Sequence, residues 1–131
     1  MGVDLVVRDE SSSGAPSGAV RLPDVPATTT LRELIRTRVR EEVARFNAAP
    51  SVVFEGLVMP EGARPAGRGF AMREPRWIDW EVQAEEAVEA FGRNRFFVLF
   101  DGRQVTDLDQ PLQLSADSDV RFVRLVQLIG G

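Results

Sequence analysis

The sequence predicts an α+β fold in which one long helix crosses a mixed sheet. The prediction depends on the order of the periodic segments along the chain. Two strands come first, then the long helix, then an irregular region with a second helix, and then two strands and a closing strand. This order places the last strand beside the first as its parallel neighbour. With 131 residues, the chain has the length of one domain, residues 1–131.

The N-terminal segments have the pattern of a strand, a loop and a second strand. Residues 3–8 (VDLVVR) alternate apolar and polar side chains, which predicts a strand. A loop rich in Ser, Gly and Pro separates it from a second short strand at residues 19–22. Pro23 and Pro26 are expected to end this strand, because proline has no N–H to donate to a neighbouring strand.

The long helix is predicted from its cap and its periodicity. Thr30 and Glu33 have the spacing of a capping box. From there to about residue 46, apolar residues recur at three- and four-residue steps. Asn47 and Pro50 are expected to close the helix. The predicted apolar face consists of Leu31, Leu34, Ile35, Val39, Val43 and Phe46.

Residues 48–94 are interpreted as an insertion that contains a second helix at about residues 77–91. Pro75 is expected in the first turn of this helix and Gly92 at its end. Residues 51–59 (SVVFEGLVM) are compatible with a strand. The predicted apolar face of the helix is made of Trp77, Trp80, Ala84, Val88 and Phe91.

The C-terminal part of the chain contains the clearest strand. Residues 95–100 (RFFVLF) are followed by Asp101 and Gly102, a dipeptide that strongly favours a hairpin turn. The partner strand of this hairpin is predicted at residues 103–106. After an irregular segment, residues 120–125 form the predicted closing strand.

The composition excludes several kinds of chemistry. The chain has no Cys, no His and no Tyr, so it cannot build a hydrolytic triad or a typical zinc site. We therefore expect a protein that is not an enzyme and that holds neither a metal nor a cofactor. The net charge of −4 opposes binding to nucleic acid. Without an apolar run of about 18 residues or a signal-peptide pattern, we expect no membrane partner and a cytoplasmic location.

All 16 basic residues are arginine, and lysine is absent. One explanation is a GC-rich, bacterial genome that favours arginine codons. The other explanation is functional. A protein whose carboxylate is attached to lysine amines gains from having no lysine amine of its own that could react. In either case the chain cannot be linked to itself through a lysine side chain.

The closing strand runs into a Gly-Gly ending, and this combination resembles ubiquitin. Residues 3–47 (a hairpin, then a helix opened by TLRE) and residues 95–131 (strand, Gly-containing turn, short strand, irregular segment, closing strand, Gly-Gly) follow its order of elements. The resemblance implies a ubiquitin-like β-grasp fold. It also implies that an activating enzyme, using ATP and Mg²⁺, adenylates the carboxylate of Gly131. The acyl group would then pass through an enzyme thioester to lysine amines of target proteins as an isopeptide. Gly130 would be its flexible partner.

The residues before the glycines would guide this tail into the activating enzyme. They are Val126, Gln127, Leu128 and Ile129. Gln127 stands where ubiquitin has an arginine, so the tail is uncharged before its terminus. Such an apolar tail is also similar to that of the β-grasp sulfur carriers of thiamine and molybdopterin biosynthesis, which bear a terminal thiocarboxylate. A non-covalent adaptor is the third interpretation.

The strand at residues 95–100 also suggests where partners bind. It is apolar on both faces, whereas a half-exposed antiparallel strand normally alternates. We expect the second helix to cover part of the face that carries Phe97 and Leu99. The remainder, together with Leu125, is predicted to bind the activating enzyme. Target proteins are the other expected partners, with a conjugating enzyme as an optional one.

Overall fold

The structure is a computed structural model, and it describes residues 2–125. Twelve helices and strands occur in this part of the chain. In chain order they are β1 (Gly2–Ser11), β2 (Pro16–Pro26), β3 (Thr28–Thr30), α1 (Leu31–Ala48), β4 (Val53–Phe54), β5 (Arg64–Ala66), β6 (Gly69–Ala71), α2 (Trp80–Gly92), β7 (Phe96–Phe100), β8 (Arg103–Val105), β9 (Pro111–Gln113) and β10 (Val120–Arg124).

The main sheet has five strands in the order β2-β1-β10-β7-β8. The central pair, β1 and β10, is parallel, with Val7 opposite Val120 and Asp9 opposite Phe122. The other three pairs are antiparallel. The predicted α+β class and the parallel pairing of the first and last strands are therefore confirmed.

The second strand is longer than predicted and continues through Pro23 to Pro26. Two features explain why these prolines do not end it. The strand lies at the edge of the sheet, where a missing N–H is tolerated. In addition, the pairing shifts by one residue between Leu22 and Val25. This bulge absorbs Pro23 and Asp24, and Asp24 adopts a left-handed φ of 55°.

The long helix begins where the capping pattern predicts. The Oγ1 atom of Thr30 accepts a hydrogen bond from the N–H of Glu33 at 3.2 Å. The predicted apolar face is buried, with Phe46 partly exposed at its end. The predicted end was wrong, because Asn47 lies inside α1. Its side chain instead bonds both backbone groups of Ile78, at 2.8 and 2.9 Å.

The second helix begins later than predicted. Its N-cap is Asp79, whose side chain accepts a hydrogen bond from the N–H of Glu81. Pro75 therefore lies outside the first turn, and Trp77 precedes the helix with 67% of its surface exposed. The buried helical residues are Gln83, Ala84 and Ala87. Of the predicted apolar face, Ala84 is buried and Trp80, Val88 and Phe91 pack against the core. Only Trp77 does not belong to it.

The region between the helices contains more strand structure than the sequence suggests. Its three short strands form a separate sheet in the order β4-β6-β5, and only residues 53–54 of the segment 51–59 are extended in a strand. Phe54 packs edge-on against Phe46 of α1, with ring centroids 5.3 Å apart. Residues of this region share one hydrophobic core with the main sheet. The boundaries of the insertion, residues 48–94, stay a prediction.

The C-terminal hairpin agrees with the prediction from the sequence. Asp101 and Gly102 have φ values of 49° and 82°, as a two-residue turn between β7 and β8 requires. The strand β9 was not predicted; it pairs with β3 beside the start of α1. Within residues 2–125, neither helix has an apolar stretch long enough to cross a lipid bilayer.

The Thr30 cap gives a first prediction. Thr30→Ala should lower the free energy of unfolding by about 1 kcal/mol, because the N–H of Glu33 loses its acceptor. Thr30→Ser keeps the hydroxyl and should stay close to the parent chain. Urea denaturation measures both. An equal loss in the two variants would show that the hydroxyl is not responsible.

Candidate functional site

Most of the predicted site residues lie outside the described part of the chain. The structure ends at Leu125, whose surface is 44% exposed. What it describes is the segment that directly precedes residues 126–131 in the chain. The predicted residues beyond this point are Val126, Gln127, Leu128, Ile129, Gly130 and Gly131.

The predicted partner patch falls on one face of the main sheet. Phe97 lies opposite Val123 and Leu99 lies opposite Arg121 in the pairing of β7 with β10. The N–H of Leu125 donates to the carbonyl of Arg95 at 3.3 Å and extends this pairing beyond β10. Since side chains alternate along a strand, Leu125 lies on the same face as Val123. The structure thus brings Phe97, Leu99 and Leu125 together on one face.

The expectation that the second helix covers part of this face was wrong. Phe91 of α2 contacts Phe96, with ring centroids 5.8 Å apart, and Phe96 points to the opposite face from Phe97. The long helix lies on that opposite face too, because its Arg38 guanidinium lies 4.6 Å from the ring centroid of Phe122. Contacts between the helices, such as Arg40 over the Trp80 ring at 5.4 Å, hold α2 there.

A buried group of charges lies beneath the base of the tail, and we call Arg38, Asp9, Glu42 and Arg124 the charge cluster. Arg38 is 1% exposed. Its two terminal nitrogens donate to the two carboxylate oxygens of Asp9, and its Nε donates to Glu42. Burial opposes the charge of Arg38, but the two carboxylates outweigh it and raise its pKa. All three nitrogens of the Arg38 guanidinium therefore donate hydrogen bonds to carboxylates.

Arg124 connects the charge cluster to the tail. Its terminal nitrogen donates to the carbonyl of Gly56 at 2.7 Å and lies 3.9 Å from Asp9. Its Nε is buried and has no hydrogen-bond partner within the described residues. Burial lowers the pKa of Arg124, and Arg38 adds to this effect, while Asp9 and Glu42 oppose it. Leu125 directly follows Arg124 in the chain. The contacts of Arg124 with Gly56 and Asp9 therefore fix the position at which Leu125 begins.

The region between the two helices is bonded to the same charges. Glu42 accepts a hydrogen bond from the N–H of Leu57 at 3.0 Å, next to the Gly56 carbonyl that Arg124 binds. The charge cluster thus joins α1, β1 and β10 to residues 56–57. We did not predict it from the sequence. One signal was present, because Asp9 continues the alternation of the buried residues Leu5 and Val7.

Two clefts flank the start of the tail, and both are lined by Arg124 and Leu125. The smaller has a volume of about 270 Å³ and is lined partly by Asp9 and Arg38. The larger has a volume of about 1010 Å³ and lies between residues 57–70 and the end of α2.

Comparisons of the chain with protein-family models, with curated proteins and with solved structures find no match in any of the three.

The charge cluster gives a second prediction. Arg38→Met should lower the free energy of unfolding by about 3–5 kcal/mol, because it leaves two buried carboxylates without their partner. The matched control is Arg45→Met on the same helix. Its ion pair with Glu41 is partly exposed, and its hydrogen bond to the carbonyl of Arg21 is exposed, so the loss should be about 1 kcal/mol. Denaturant titration of both variants measures the difference, and similar losses would contradict the role of the cluster.

Proposed function

We propose that this chain is a ubiquitin-like protein modifier with a β-grasp fold. The observation that carries the proposal is the strand order β2-β1-β10-β7-β8, with β1 and β10 parallel at its centre and α1 against one face. A β-grasp has this arrangement. Here its last strand leads directly into the sequence LVQLIGG.

The tail supplies the chemistry. The Gly131 carboxylate attacks the α-phosphorus of ATP in the activating enzyme, which forms an acyl adenylate and releases pyrophosphate. A cysteine thiolate of the enzyme then displaces AMP and forms a thioester. A target amine finally displaces the thiol and forms an amide. Gly130 and Gly131 carry no side chains, so the carboxylate can reach a narrow active site.

The charge cluster supports this role by giving the tail a fixed origin. Arg124 is held by Gly56 and lies beside Asp9, so Leu125 begins at a defined position relative to the sheet. When an activating enzyme binds the sheet, the start of the tail then lies at a fixed distance from the bound surface. Positioning of this kind lowers the entropic cost of bringing the carboxylate to ATP.

The face that carries Phe97, Leu99 and Leu125 is the proposed binding surface for the activating enzyme. It lies opposite the helices and adjoins the start of the tail. One partner could therefore contact the face and receive the tail at the same time. Phe97 and Leu99 are partly exposed and Leu125 is 44% exposed, and apolar side chains grouped on a surface favour such a role.

The absence of lysine agrees with a modifier, because the chain offers no side-chain amine that could accept a second copy. A sulfur carrier is the second candidate, and the uncharged residues Val126, Gln127, Leu128 and Ile129 favour it. In that case sulfur replaces an oxygen of the Gly131 carboxylate after adenylation. An adaptor that uses the fold without any terminal chemistry is the third.

The modifier predicts a specific modification in the native host. Trypsin cleaves after Arg124, so a modified target lysine should keep residues 125–131 (LVQLIGG) as a branch. Mass spectrometry of lysates from cells with and without the gene should detect these branches only when the gene is present. A chain that lacks Gly131 is the control and should give none.

Other outcomes of this measurement separate the candidates. A free chain with sulfur in place of a carboxylate oxygen would contradict the modifier and establish the carrier. If neither species is detected in cells that contain abundant protein, the adaptor remains as the candidate.

The proposed binding surface gives a further prediction. Phe97→Asp should lower the yield of branched lysines at least about tenfold, because loss of an apolar contact of this size costs roughly 1.5–3 kcal/mol and about 1.4 kcal/mol is tenfold in affinity. Val82→Asp is the control, since Val82 lies on α2 and is 52% exposed. Circular dichroism checks that both variants fold. Equal yields from the two folded variants would rule out this surface.

A further inference from the structure

The larger cleft combines apolar walls with a group of arginines. Its volume of about 1010 Å³ lies at the upper end of the range of small-molecule sites, about 1,000 Å³. Met59 on one wall is 45% exposed, so apolar surface of the cleft faces water. The other apolar side chains that the argument uses are Pro65, Phe70 and Ala90.

The charges of the cleft are unbalanced. Among the described residues that line it, Arg93, Arg95 and Arg124 are basic, and Glu86 alone is acidic. Within residues 2–125, the guanidinium of Arg95 has neither an ion pair nor a hydrogen bond. Arg93 lies 4.0 Å from its carboxylate neighbour Glu89. The cleft therefore lacks negative charge, which a ligand can supply.

The three guanidinium groups belong to one end of the cleft. Arg93 and Arg95 directly follow α2, and the next residue, Phe96, lies opposite Arg124 in the pairing of β7 with β10. Glu86 lies on α2 seven residues before Arg93, about two turns away. Pro65 and Phe70 of the apolar wall come from the region between the helices. A ligand that spans the cleft thus meets apolar surface and positive charge at different places.

The backbone at the positive end has no group free to pair with a peptide. The N–H groups of Arg93, Asn94 and Arg95 already donate to carbonyls of residues 89–91 in α2. The carbonyl of Arg95 accepts the N–H of Leu125. A strand bound here would leave its own backbone groups without partners, and this is costly when they are buried. The geometry favours an apolar ligand without a peptide backbone.

We propose that the cleft binds an aliphatic carboxylic acid. The alkyl chain lies against Met59, Phe70 and Ala90, and the carboxylate lies beside Arg93 and Arg95. Binding removes the alkyl chain and the exposed wall from water together. The planar guanidinium of arginine matches the two oxygens of a carboxylate. The site uses neither the terminal glycines nor an activating enzyme, so it is independent of the proposed modifier function.

The test is an NMR titration of the full, ¹⁵N-labelled chain with decanoate, kept below the concentration at which it forms micelles. Saturable shifts should appear at the amides of Met59, Phe70, Ala90 and Arg95. Octanoate is two methylenes shorter and should bind about tenfold more weakly. Octan-1-ol keeps the same alkyl chain without the charge and should bind about two- to fivefold more weakly than octanoate.

Three variants separate the head group from the apolar wall. Arg95→Gln should weaken decanoate about two- to fivefold and leave octan-1-ol unchanged. The matched control is Arg103→Gln on the exposed start of β8, which should bind both ligands like the parent chain. Met59→Asp places a polar, charged group against the alkyl chain and should weaken both ligands.

Two kinds of result would overturn the proposal. Absence of saturable shifts at the cleft in the parent chain would remove the site. Equal affinities for octanoate and octan-1-ol, or equal losses in the two arginine variants, would remove the acid as its ligand. None of these results bears on the branched lysines that test the modifier, so the two failures are distinguishable.

Discussion

The buried guanidinium of Arg38 is the interaction on which the rest of the structure depends. It is 1% exposed and binds Asp9 and Glu42 with its whole fork. Asp9 belongs to β1, one strand of the central parallel pair, and Glu42 belongs to the helix that crosses the sheet. Because each charge would be costly alone in the core, the three groups fix the position of α1 on the sheet. Apolar contacts between the same surfaces allow more than one alignment, since they lack direction.

This arrangement also explains how the region between the helices packs beside the end of β10. The N–H of Leu57 and the carbonyl of Gly56 have no partner strand at that point, and they bond to Glu42 and Arg124. The charges therefore satisfy backbone groups that would otherwise be buried unpaired. The region between the helices also supplies one wall of the larger cleft. The region between the helices, α1 and β10 therefore meet beside Leu125.

The sequence predicted the elements with strong local signals. Thr30 and Glu33 located the start of α1, and Asp101-Gly102 located the hairpin, because caps and turns depend on a few adjacent residues. Pro75 misled the prediction because Asp79 caps α2 four residues later. Pro23 misled it, since its effect depends on edge position and on a bulge that only the partner strand creates. The charge cluster was missed for the same reason. Its members are separated by as many as 115 residues, 124 minus 9, and meet only when the sheet forms. Of the predicted patch, the register of β7 with β10 could be tested, whereas the tail residues lie beyond residue 125.

The prolines of β2 have a consequence for the behaviour of the protein at high concentration. An edge strand presents unpaired N–H and C=O groups that can recruit a strand from another molecule. Pro16, Pro23 and Pro26 remove three N–H groups from this strand, and the bulge at Asp24 bends its course. The edge is therefore a poor template for intermolecular sheet growth. The proposed modifier, joined to other proteins, would in this way be protected from adding to their sheets.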